Sequence, residues 1–432
     1  MRARRLTAAA ATIALSATLL AGCAPSQESN ITTNPAASQG VTELTFFAPV
    51  DMSASSAKYY TSLIDQFNAD NPDVHVALES VSTAEGFNGF LEERLDGGQG
   101  DDVFIVNADS VKSLYRKGHF YDMSTFSVFD HVSDAARAQS TIDGFAYCLP
   151  FSMNAYCMYV NTAVLDRYKL DVPTNLDEFL HCCEVIKAGG GTPIALNRWY
   201  ALTVPAMANG LASVYGADDP QAMVAKLNSG ELKVGDVMAE GFALMERFID
   251  SGWYGDGLTT ETVEGFKAGD KDIPDFSHGD AAFMFCTADT YERIDTENPS
   301  ATVIATGVPV KDGMVTLPAV SVRLSMNAHS DNIDTTRRFI EYLSNSEMQG
   351  QRAGETGVLP ILKGQDFDTD SRIEPMVAVY QQATQVPIED MSLCFTYWDT
   401  IRELCIKMFD GYSAEQAVAD YNAIQAAAVS GA

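Results

Sequence analysis

The segment VFIVNADS, residues Val103 to Ser110, decides the fold class. Its four consecutive apolar residues are typical of a central parallel strand that is covered on both faces. Two polar residues, Asn107 and Asp109, follow this strand at once. Because open α/β sheets bind ligands beyond the carboxyl ends of their strands, these two side chains are candidate ligand-binding residues. A helix-capping role is the alternative for Asp109.

Strands and helices alternate ahead of this segment. The run LTFFAPVD, residues Leu44 to Asp51, predicts one strand and Val74 to Leu78 predicts another, and apolar residues at helical spacing follow each of them. This order predicts an α/β fold with open, mostly parallel sheets flanked by helices. Asp51 lies just beyond the first strand and is a further candidate, although a turn or cap aspartate explains it equally well.

The middle of the chain is organised differently. Helical patterns dominate from Asn161 to about Ser300, and a sheet element returns at Thr302 to Val310. A length of 432 residues also predicts more than one domain-sized unit. Together these features predict two lobes that are joined by several crossings, an arrangement that makes a hinge and a cleft.

The first residues predict export from the cell. Three arginines precede the short apolar run Leu6 to Leu20, as in a secretory signal peptide. The following segment LAGC, Leu20 to Cys23, resembles the bacterial lipobox, which implies that Cys23 is acylated and begins the mature chain. We therefore expect a signal peptide over 1–22 and a flexible linker over 23–40. A signal peptide that only happens to contain a cysteine is the alternative.

The charge balance excludes several partners. The chain has 58 acidic and 28 basic residues, a formal net charge of −30, and removal of the signal peptide leaves only 25 basic residues. Nucleic acid and anionic lipid surfaces are therefore not expected as partners, since phosphate binding requires clustered Lys and Arg. The six histidines lack metal-ligand spacing, so no metal or other cofactor is expected.

The remaining cysteines show neither a C-x-x-C motif nor the spacing of a metal site. We expect most of them to be small buried apolar residues, and Cys148 with Cys157 to be one candidate disulfide. The seven are Cys148, Cys157, Cys182, Cys183, Cys286, Cys394 and Cys405.

A series of motifs resembles the carbohydrate-type extracellular solute-binding proteins, the relatives of maltodextrin-binding protein that serve ABC importers. Three motifs depart from the family pattern, with Asp101 in place of Pro, Val160 in place of Tyr, and Phe283 where Met is common. In chain order the motifs are LTFF (44–47), YYTSLIDQFNADNPDVHVAL (59–78), GGQGDDVFIVNADS (97–110), DGFAYCLPFSMNAYCMYVNTAVL (143–165), VPTNLDEFLHCCEVIKAGGGTPIAL (172–196) and HGDAAFMF (278–285).

The resemblance implies a set of cleft residues. Asp51 and Asp109 match carboxylates that accept sugar hydroxyls, Asn154 stands where the relatives have a glutamate, and Trp398 matches a stacking tryptophan. Asp289 replaces an aromatic residue, so the ligand need not be a maltodextrin. Trp253 is expected in packing rather than in the cleft. The full candidate set is Asp51, Asn107, Asp109, Asn154, Trp199, Tyr200, Thr287, Asp289, Tyr397 and Trp398.

The same resemblance implies the domain boundaries and the function. One lobe is expected from 41–152 and 304–355, and the other from 153–303 and 356–432, with hinge strands near residues 151–156 and 305–310. The expected protein is a monomeric, lipid-anchored receptor outside the cell membrane that delivers a sugar or oligosaccharide to an ABC permease. A binding protein for a polyamine or a peptide is one alternative. A secreted carbohydrate-active enzyme is another, although 58 acidic residues offer carboxylate pairs by abundance alone.

Overall fold

One mixed β-sheet runs through the described part of the chain. The computed structural model describes residues 40–50, 55–81, 86–345, 359–365, 367 and 369–431. The strands are β1 (Thr42–Ala48), β2 (Val74–Ser80), β3 (Val103–Ile105), β4 (Thr141–Ile142), β5 (Phe145–Ala146), β6 (Leu149–Asn161), β7 (Thr192–Ile194), β8 (Ala281–Thr287), β9 (Val303–Thr306), β10 (Val308–Val310), β11 (Gly313–Val315) and β12 (Leu317–Met326).

Helices pack on both sides of this sheet. They are α1 (Ser55–Asp70), α2 (Phe87–Asp96), α3 (Ala108–Lys117), α4 (Asp134–Ala138), α5 (Thr162–Tyr168), α6 (Leu176–Ala188), α7 (Tyr200–Tyr215), α8 (Pro220–Ser229), α9 (Val234–Val237), α10 (Ala239–Asp250), α11 (Thr260–Glu264), α12 (Asp272–Ser277), α13 (Tyr291–Glu297), α14 (Ile333–Leu343), α15 (Glu374–Gln382), α16 (Trp398–Lys407) and α17 (Ala414–Gly431). No helix among the described residues is both long and apolar enough to cross a membrane.

The strand order of the main sheet is β2-β1-β3-β12-β6-β8-β7, with β9 also paired to β6, whereas β4 with β5 and β10 with β11 form two separate two-stranded sheets. The strands that alternate with helices are parallel, namely β2 with β1, β1 with β3, and β7 with β8. The long strands β6 and β12 run antiparallel to their neighbours and join the two ends of the sheet. The predicted α/β class with a sheet flanked by helices is confirmed.

Strand β6 connects two hydrophobic cores. Its thirteen residues are buried with one exception, Tyr156, which is partly exposed. The odd-numbered face, represented by Phe151 and Tyr159, packs into a first core that includes β1, β2 and β3. On the even-numbered face, Met158 and Val160 pack into a second core built largely by α7 and α10. Side chains of a strand alternate between its two faces, so Tyr156 lies on the face that leads into the second core.

Tyr156 also marks the point where β6 changes neighbours. Strand β12 pairs with β6 up to Tyr156, and β9 continues along the same edge from Met158. Strand β8 pairs with the opposite edge from Tyr156 onward. The chain near 305–310 therefore begins in β9, which lies beside the C-terminal end of β6. Besides β6, the strand that joins the two ends of the sheet is β12.

A β-bulge in β12 is stabilised by a buried glutamine. The register between β12 and β6 shifts between Val320 and Val322. The Gln139 side chain, which is fully buried, accepts a hydrogen bond from the Val320 N–H at 3.0 Å and donates to the Pro318 carbonyl at 3.0 Å. These bonds satisfy backbone groups that the irregular ladder leaves unpaired.

The motif at 172–196 contains the N-terminal cap of helix α6. The Asn175 side chain accepts a hydrogen bond from the Glu178 N–H, and the Glu178 carboxylate accepts one from the Thr174 N–H at 2.8 Å. This reciprocal arrangement satisfies donors that the start of α6 would otherwise leave free. Trp253 is 2% exposed and packs in the second core, as expected.

The candidate disulfide between Cys148 and Cys157 is wrong. All seven cysteines in the described part of the chain are free, and these two are fully buried. Cys157 lies nine residues beyond Cys148 along an extended segment, which separates their Cα atoms by roughly 30 Å. A disulfide requires Cα atoms within about 7 Å of each other.

The first core contains a buried ion pair at the position where the motif series has Asp in place of Pro. Arg94 donates to the Asp101 carboxylate at 2.9 and 3.0 Å and to Glu79 at 2.7 Å. The Asp101 side chain has no exposed surface. Burial raises the pKa of Asp101 to about 6, against the opposing effect of the Arg94 charge.

This raised pKa predicts a pH-dependent stability. Because the folded chain protonates Asp101 at a higher pH than the unfolded chain does, the contribution of this group to the free energy of unfolding falls as the pH rises from 4 to 7. The variant Asp101→Asn does not titrate there. Its free energy of unfolding relative to the wild type should therefore rise by about 2 kcal/mol between pH 4 and pH 7.

Urea unfolding of both proteins at the two pH values measures this change. Glu341→Gln, which alters an exposed ion pair with Arg337, serves as the control and should give a nearly constant difference. A difference between Asp101→Asn and wild type that does not vary with pH would contradict the buried carboxylate.

Candidate functional site

Three partly buried aromatic rings meet where β6 passes between the two cores. The Tyr156 ring lies 5.0 Å from the Tyr200 ring and 4.9 Å from the Trp398 ring, measured between centroids. The planes are tilted by 48° and 37°. Tyr200 is the first residue of α7 and Trp398 is the first residue of α16. We call Tyr156, Tyr200 and Trp398 the aromatic cluster.

The two tyrosine hydroxyls of the cluster stay protonated at neutral pH. Burial raises the pKa of Tyr156 above its usual range, and the neighbouring Tyr200 raises it further. Burial also raises the pKa of Tyr200. Both hydroxyls therefore combine with the ring faces to offer apolar surface and hydrogen-bonding groups at one place.

Polar side chains from β6 and β8 lie beside the cluster. Asn154 is 8% exposed and precedes Tyr156 by two residues on the same face of β6. Its side-chain oxygen accepts a hydrogen bond from the Ala288 N–H at 3.2 Å. Thr287 pairs with Tyr156 across the two strands. The nearby Asp289 charge acts on both tyrosines of the cluster and raises the pKa of each.

An ion pair between a buried arginine and a partly exposed glutamate lies within electrostatic range of the cluster. Arg323 of β12 is 6% exposed and donates to the Glu389 carboxylate at 2.7 Å. Burial raises the pKa of Glu389, the Arg323 charge lowers it, and the charges of Asp109 and Asp399 raise it further. The Glu389 charge in turn contributes to the raised pKa of Tyr156. Carboxylates from α3, α16 and the segment before α16 therefore lie within electrostatic range of one another.

The structure brings many of the sequence-predicted residues together. Tyr200 and Trp398 contact Tyr156 directly, and Asp109 is within electrostatic range of Glu389. Including the polar residues beside the cluster, the assembled set is Asn154, Tyr200, Thr287, Asp289, Trp398 and Asp109.

Three other candidates have different surroundings. Tyr397 is 3% exposed in the second core and donates a hydrogen bond to the Pro387 carbonyl at 2.7 Å. Asn107 is exposed at the start of α3 and donates to the side chain of Asn88 in α2. The Trp199 ring lies under two guanidinium groups, those of Arg198 at 4.6 Å and Arg402 at 4.2 Å.

Tyr397 is held in packing rather than at an accessible surface. The guanidinium groups of Arg198 and Arg402 cover part of the Trp199 ring, which leaves less ring surface for another molecule. Asp51 and Cys23 lie outside the described residues.

The sequence reasoning missed Tyr156, Arg323 and Glu389. Alternate residues of a strand lie on the same face, so Tyr156 shares a face with Asn154, two residues earlier. Counting two residues on from the candidate Asn154 would have identified Tyr156. Glu389 and Arg323 are 66 residues apart in the chain. No local pattern signals that pair, because only the folded topology brings β12 against the segment before α16.

The arrangement suits binding of an uncharged, polyhydroxylated molecule. Aromatic faces pack against apolar C–H surfaces, and amide, hydroxyl and carboxylate groups satisfy hydroxyl groups that binding removes from water. Among the described residues, no group of three or more His, Cys, Asp or Glu side chains is placed to hold a metal ion. Burial raises the pKa of Cys157 and Cys286 near the cluster, so neither thiol is an activated nucleophile.

Comparison with known proteins gives a consistent family match. The family model described as bacterial extracellular solute-binding protein matches residues 53–350. The multiple sugar-binding protein of Streptococcus mutans is 23% identical over 375 residues, which cover 84% of this chain and 84% of that protein.

Solved structures share the fold at low sequence identity. A family 1 extracellular solute-binding protein from Bifidobacterium longum subsp. infantis has a TM-score of 0.74 at 18% identity, covering 90% of this chain and 100% of its own. The apo form of RafE from Streptococcus pneumoniae has a TM-score of 0.70 at 17% identity, covering 91% and 100%. RafE in complex with raffinose has a TM-score of 0.63 at 18% identity, covering 90% and 100%.

Proposed function

We propose that this chain, which belongs to the bacterial extracellular solute-binding protein family, captures a sugar or oligosaccharide outside the cell and delivers it to the permease of an ABC importer. The observation that carries the proposal is the aromatic cluster with amide, hydroxyl and carboxylate groups beside it. The sugar-binding relative in Streptococcus mutans and the raffinose complex of RafE support the same ligand class.

The binding surface combines two kinds of contact. The ring faces of Tyr156 and Trp398 pack against the C–H face of a sugar ring, while Asn154 and Asp289 pair with its hydroxyls. A buried hydroxyl without a partner costs about 1 to 3 kcal/mol, so the positions of the polar groups select among sugars. We include Tyr200, Thr287 and Asp109 in the same surface and leave Tyr397 out.

The proposed mechanism is a conformational change without covalent chemistry. Two lobes close about β6 and β12, the strands that join the two ends of the sheet, when a ligand contacts both. Closure is favoured only by contacts that exist in the closed state, so groups from both sides must touch the ligand. We propose a binding role rather than catalysis, since the relatives that match are binding proteins. The closed monomer then presents both lobes to the permease.

The family places this protein outside the cytoplasm, and we propose that lipid on Cys23 holds it at the outer face of the cell membrane. Several acyl chains are needed for stable anchoring, which a lipobox cysteine provides when it is diacylated or triacylated. Tethering raises the concentration of loaded receptor at its transporter.

A ligand screen tests the function itself. Raffinose, maltotriose, chitotriose and xylotriose are compared with spermidine and a tripeptide in thermal-shift measurements. A sugar at 100 times its dissociation constant should stabilise the protein by about 2.7 kcal/mol. Stabilisation by spermidine or by the tripeptide alone would favour the alternative solutes. Cleavage of a bound oligosaccharide during incubation would indicate an enzyme.

The variant Trp398→Ala tests the aromatic cluster. Loss of the ring that packs on Tyr156 should weaken sugar binding at least tenfold, about 1.4 kcal/mol, in titration calorimetry. Tyr412→Ala is the matched control, since Tyr412 is a partly exposed ring next to Lys407 rather than in the cluster. Equal affinities of wild type and Trp398→Ala would remove this ring from the binding surface.

The variant Cys23→Ala tests the anchor. Labelled palmitate should enter the wild-type protein and not the variant, and the variant should appear in the culture medium. Cys394→Ala is the control, because Cys394 is a partly exposed cysteine elsewhere in the chain. Membrane retention of Cys23→Ala would argue against lipidation at this residue.

A further inference from the structure

The segment between α15 and α16 crosses from one hydrophobic core to the other and back. We call residues 383–397 the strap. It first runs beside the start of β12, where the Val386 N–H donates to the Thr316 carbonyl at 2.9 Å and the Ile388 N–H donates to the Pro318 carbonyl at 3.2 Å. Val386 packs in the second core, Met391 in the first, and Leu393 again in the second.

Hydrogen bonds fix the strap to the side of the first core. The Met391 N–H donates to the Ala138 carbonyl at the end of α4, at 3.1 Å. Lys112 of α3 donates to the Leu393 carbonyl at 2.7 Å. These bonds come from two separate helices, so they define the path of the strap on this side.

Helices of the second core hold the other side. Tyr215 of α7 donates to the Asp390 carboxylate at 3.2 Å. The Asn228 side chain of α8 donates to the Ser392 carbonyl at 2.8 Å and accepts from the Cys394 N–H at 2.9 Å. The strap is therefore a defined structure that both cores support, and its residue 389 has a fixed position.

Glu389 of the strap lies within electrostatic range of Tyr156 in the aromatic cluster. Arg323 donates to its Oε2 at 2.7 Å, and the Arg323 Nε donates to the Gln139 carbonyl at 3.3 Å. Among the described residues, no side chain or backbone group donates to Oε1 of Glu389. The Glu389 side chain is 28% exposed, whereas that of Arg323 is 7% exposed. One carboxylate oxygen is thus held by a buried cation, and the group remains open to solvent.

A carboxylate oxygen accepts more than one hydrogen bond, so Glu389 has unused acceptor capacity beside Tyr156. Enclosure of both partners strengthens the attraction in an ion pair, although it also removes both charges from water. Here the cation is enclosed and the anion is partly open.

We propose that Glu389 is a ligand-binding residue that accepts a hydrogen bond from a sugar hydroxyl, with Arg323 as the positioning residue that orients its carboxylate. This inference rests on the proposed sugar-binding function and adds a contact from the strap to the aromatic cluster. A bound sugar would then touch β6, α16 and the strap at once. Ligand binding would then be coupled, through the strap, to the helices of both cores that are hydrogen-bonded to it.

The charged and titratable groups that face Glu389 give a second prediction. They are Arg323 of β12, Asp109 of α3, Asp399 of α16, and the hydroxyls of Tyr147 and Tyr156. Burial raises the pKa of Glu389, and the two aspartates add to this effect against Arg323. As the pH falls, protonation of the Glu389 carboxylate makes it a weaker hydrogen-bond acceptor. The affinity for sugar should therefore fall in acid because of this group.

Titration calorimetry with the sugar that binds best among raffinose, maltotriose, chitotriose and xylotriose tests the inference on the full chain. Glu389→Gln should weaken binding at least tenfold at pH 7. The affinity of the wild type should fall from pH 7 to pH 4 more steeply than that of Glu389→Gln, because the pKa of Glu389 is raised from its usual value of 4.5. Glu341→Gln, which alters the exposed pair with Arg337, is the control and should behave as wild type.

Two outcomes are decisive against the inference. Wild-type affinity and an unchanged pH profile in Glu389→Gln would overturn the role of Glu389 while leaving sugar binding intact. Failure of the wild type to bind any of the four sugars would overturn the proposed function and this inference with it.

A second variant covers the case in which Glu389→Gln does not fold. Glu389→Asp keeps the negative charge for Arg323 and withdraws the oxygens by one methylene. Weaker binding by at least fivefold with an unchanged melting temperature supports the ligand contact. A lower melting temperature with unchanged affinity assigns Glu389 to packing alone and overturns the inference.

Discussion

The structure depends on one strand that must satisfy two hydrophobic cores at the same time. Strand β6 is hydrogen-bonded to β12 over its first half and to β8 and β9 over its second half. A strand with neighbours on both edges and helices on both faces has to be apolar almost throughout. Tyr156 is its one partly exposed residue. The opening in the packing therefore lies where β6 passes from one set of neighbours to the other, and nowhere else along the strand.

That opening collects groups from elements that end or begin there. Tyr200 and Trp398 are the first residues of α7 and α16, so their backbones are held by helices while their rings reach Tyr156. Asp109 and Asp399 lie in the first turns of α3 and α16. Helix N-termini stabilise nearby negative charge, and this stabilisation offsets part of the repulsion between the carboxylates. The same geometry thus accounts for the aromatic surface and for its acidic border.

The local sequence pattern predicted individual strands and the residues that follow them. The apolar run at Val103 to Ile105 gave the parallel strand, and the position after it gave Asp109 as a candidate. Asn154 was found through a motif that covers β6. Tyr156 was not found, because a tyrosine within an apolar strand has the same sequence signature whether it packs in a core or lines an opening. Tyr397 shows the converse, since it neighbours Trp398 in the chain but points into the second core.

Long-range pairs lie beyond such patterns for a physical reason. Arg323 and Glu389 belong to a crossing strand and to the strap, and only the topology of the sheet decides that these two meet. The chain crosses between the cores in β6, in β12 and in the strap, so a movement of one core relative to the other must bend all three together. A ligand that contacts only β6 would leave this movement unbiased, because such a contact is equally available in open and closed forms. In the proposed closing movement, contacts from the strap and from the helix ends would change between the two forms, and binding would favour closure through them.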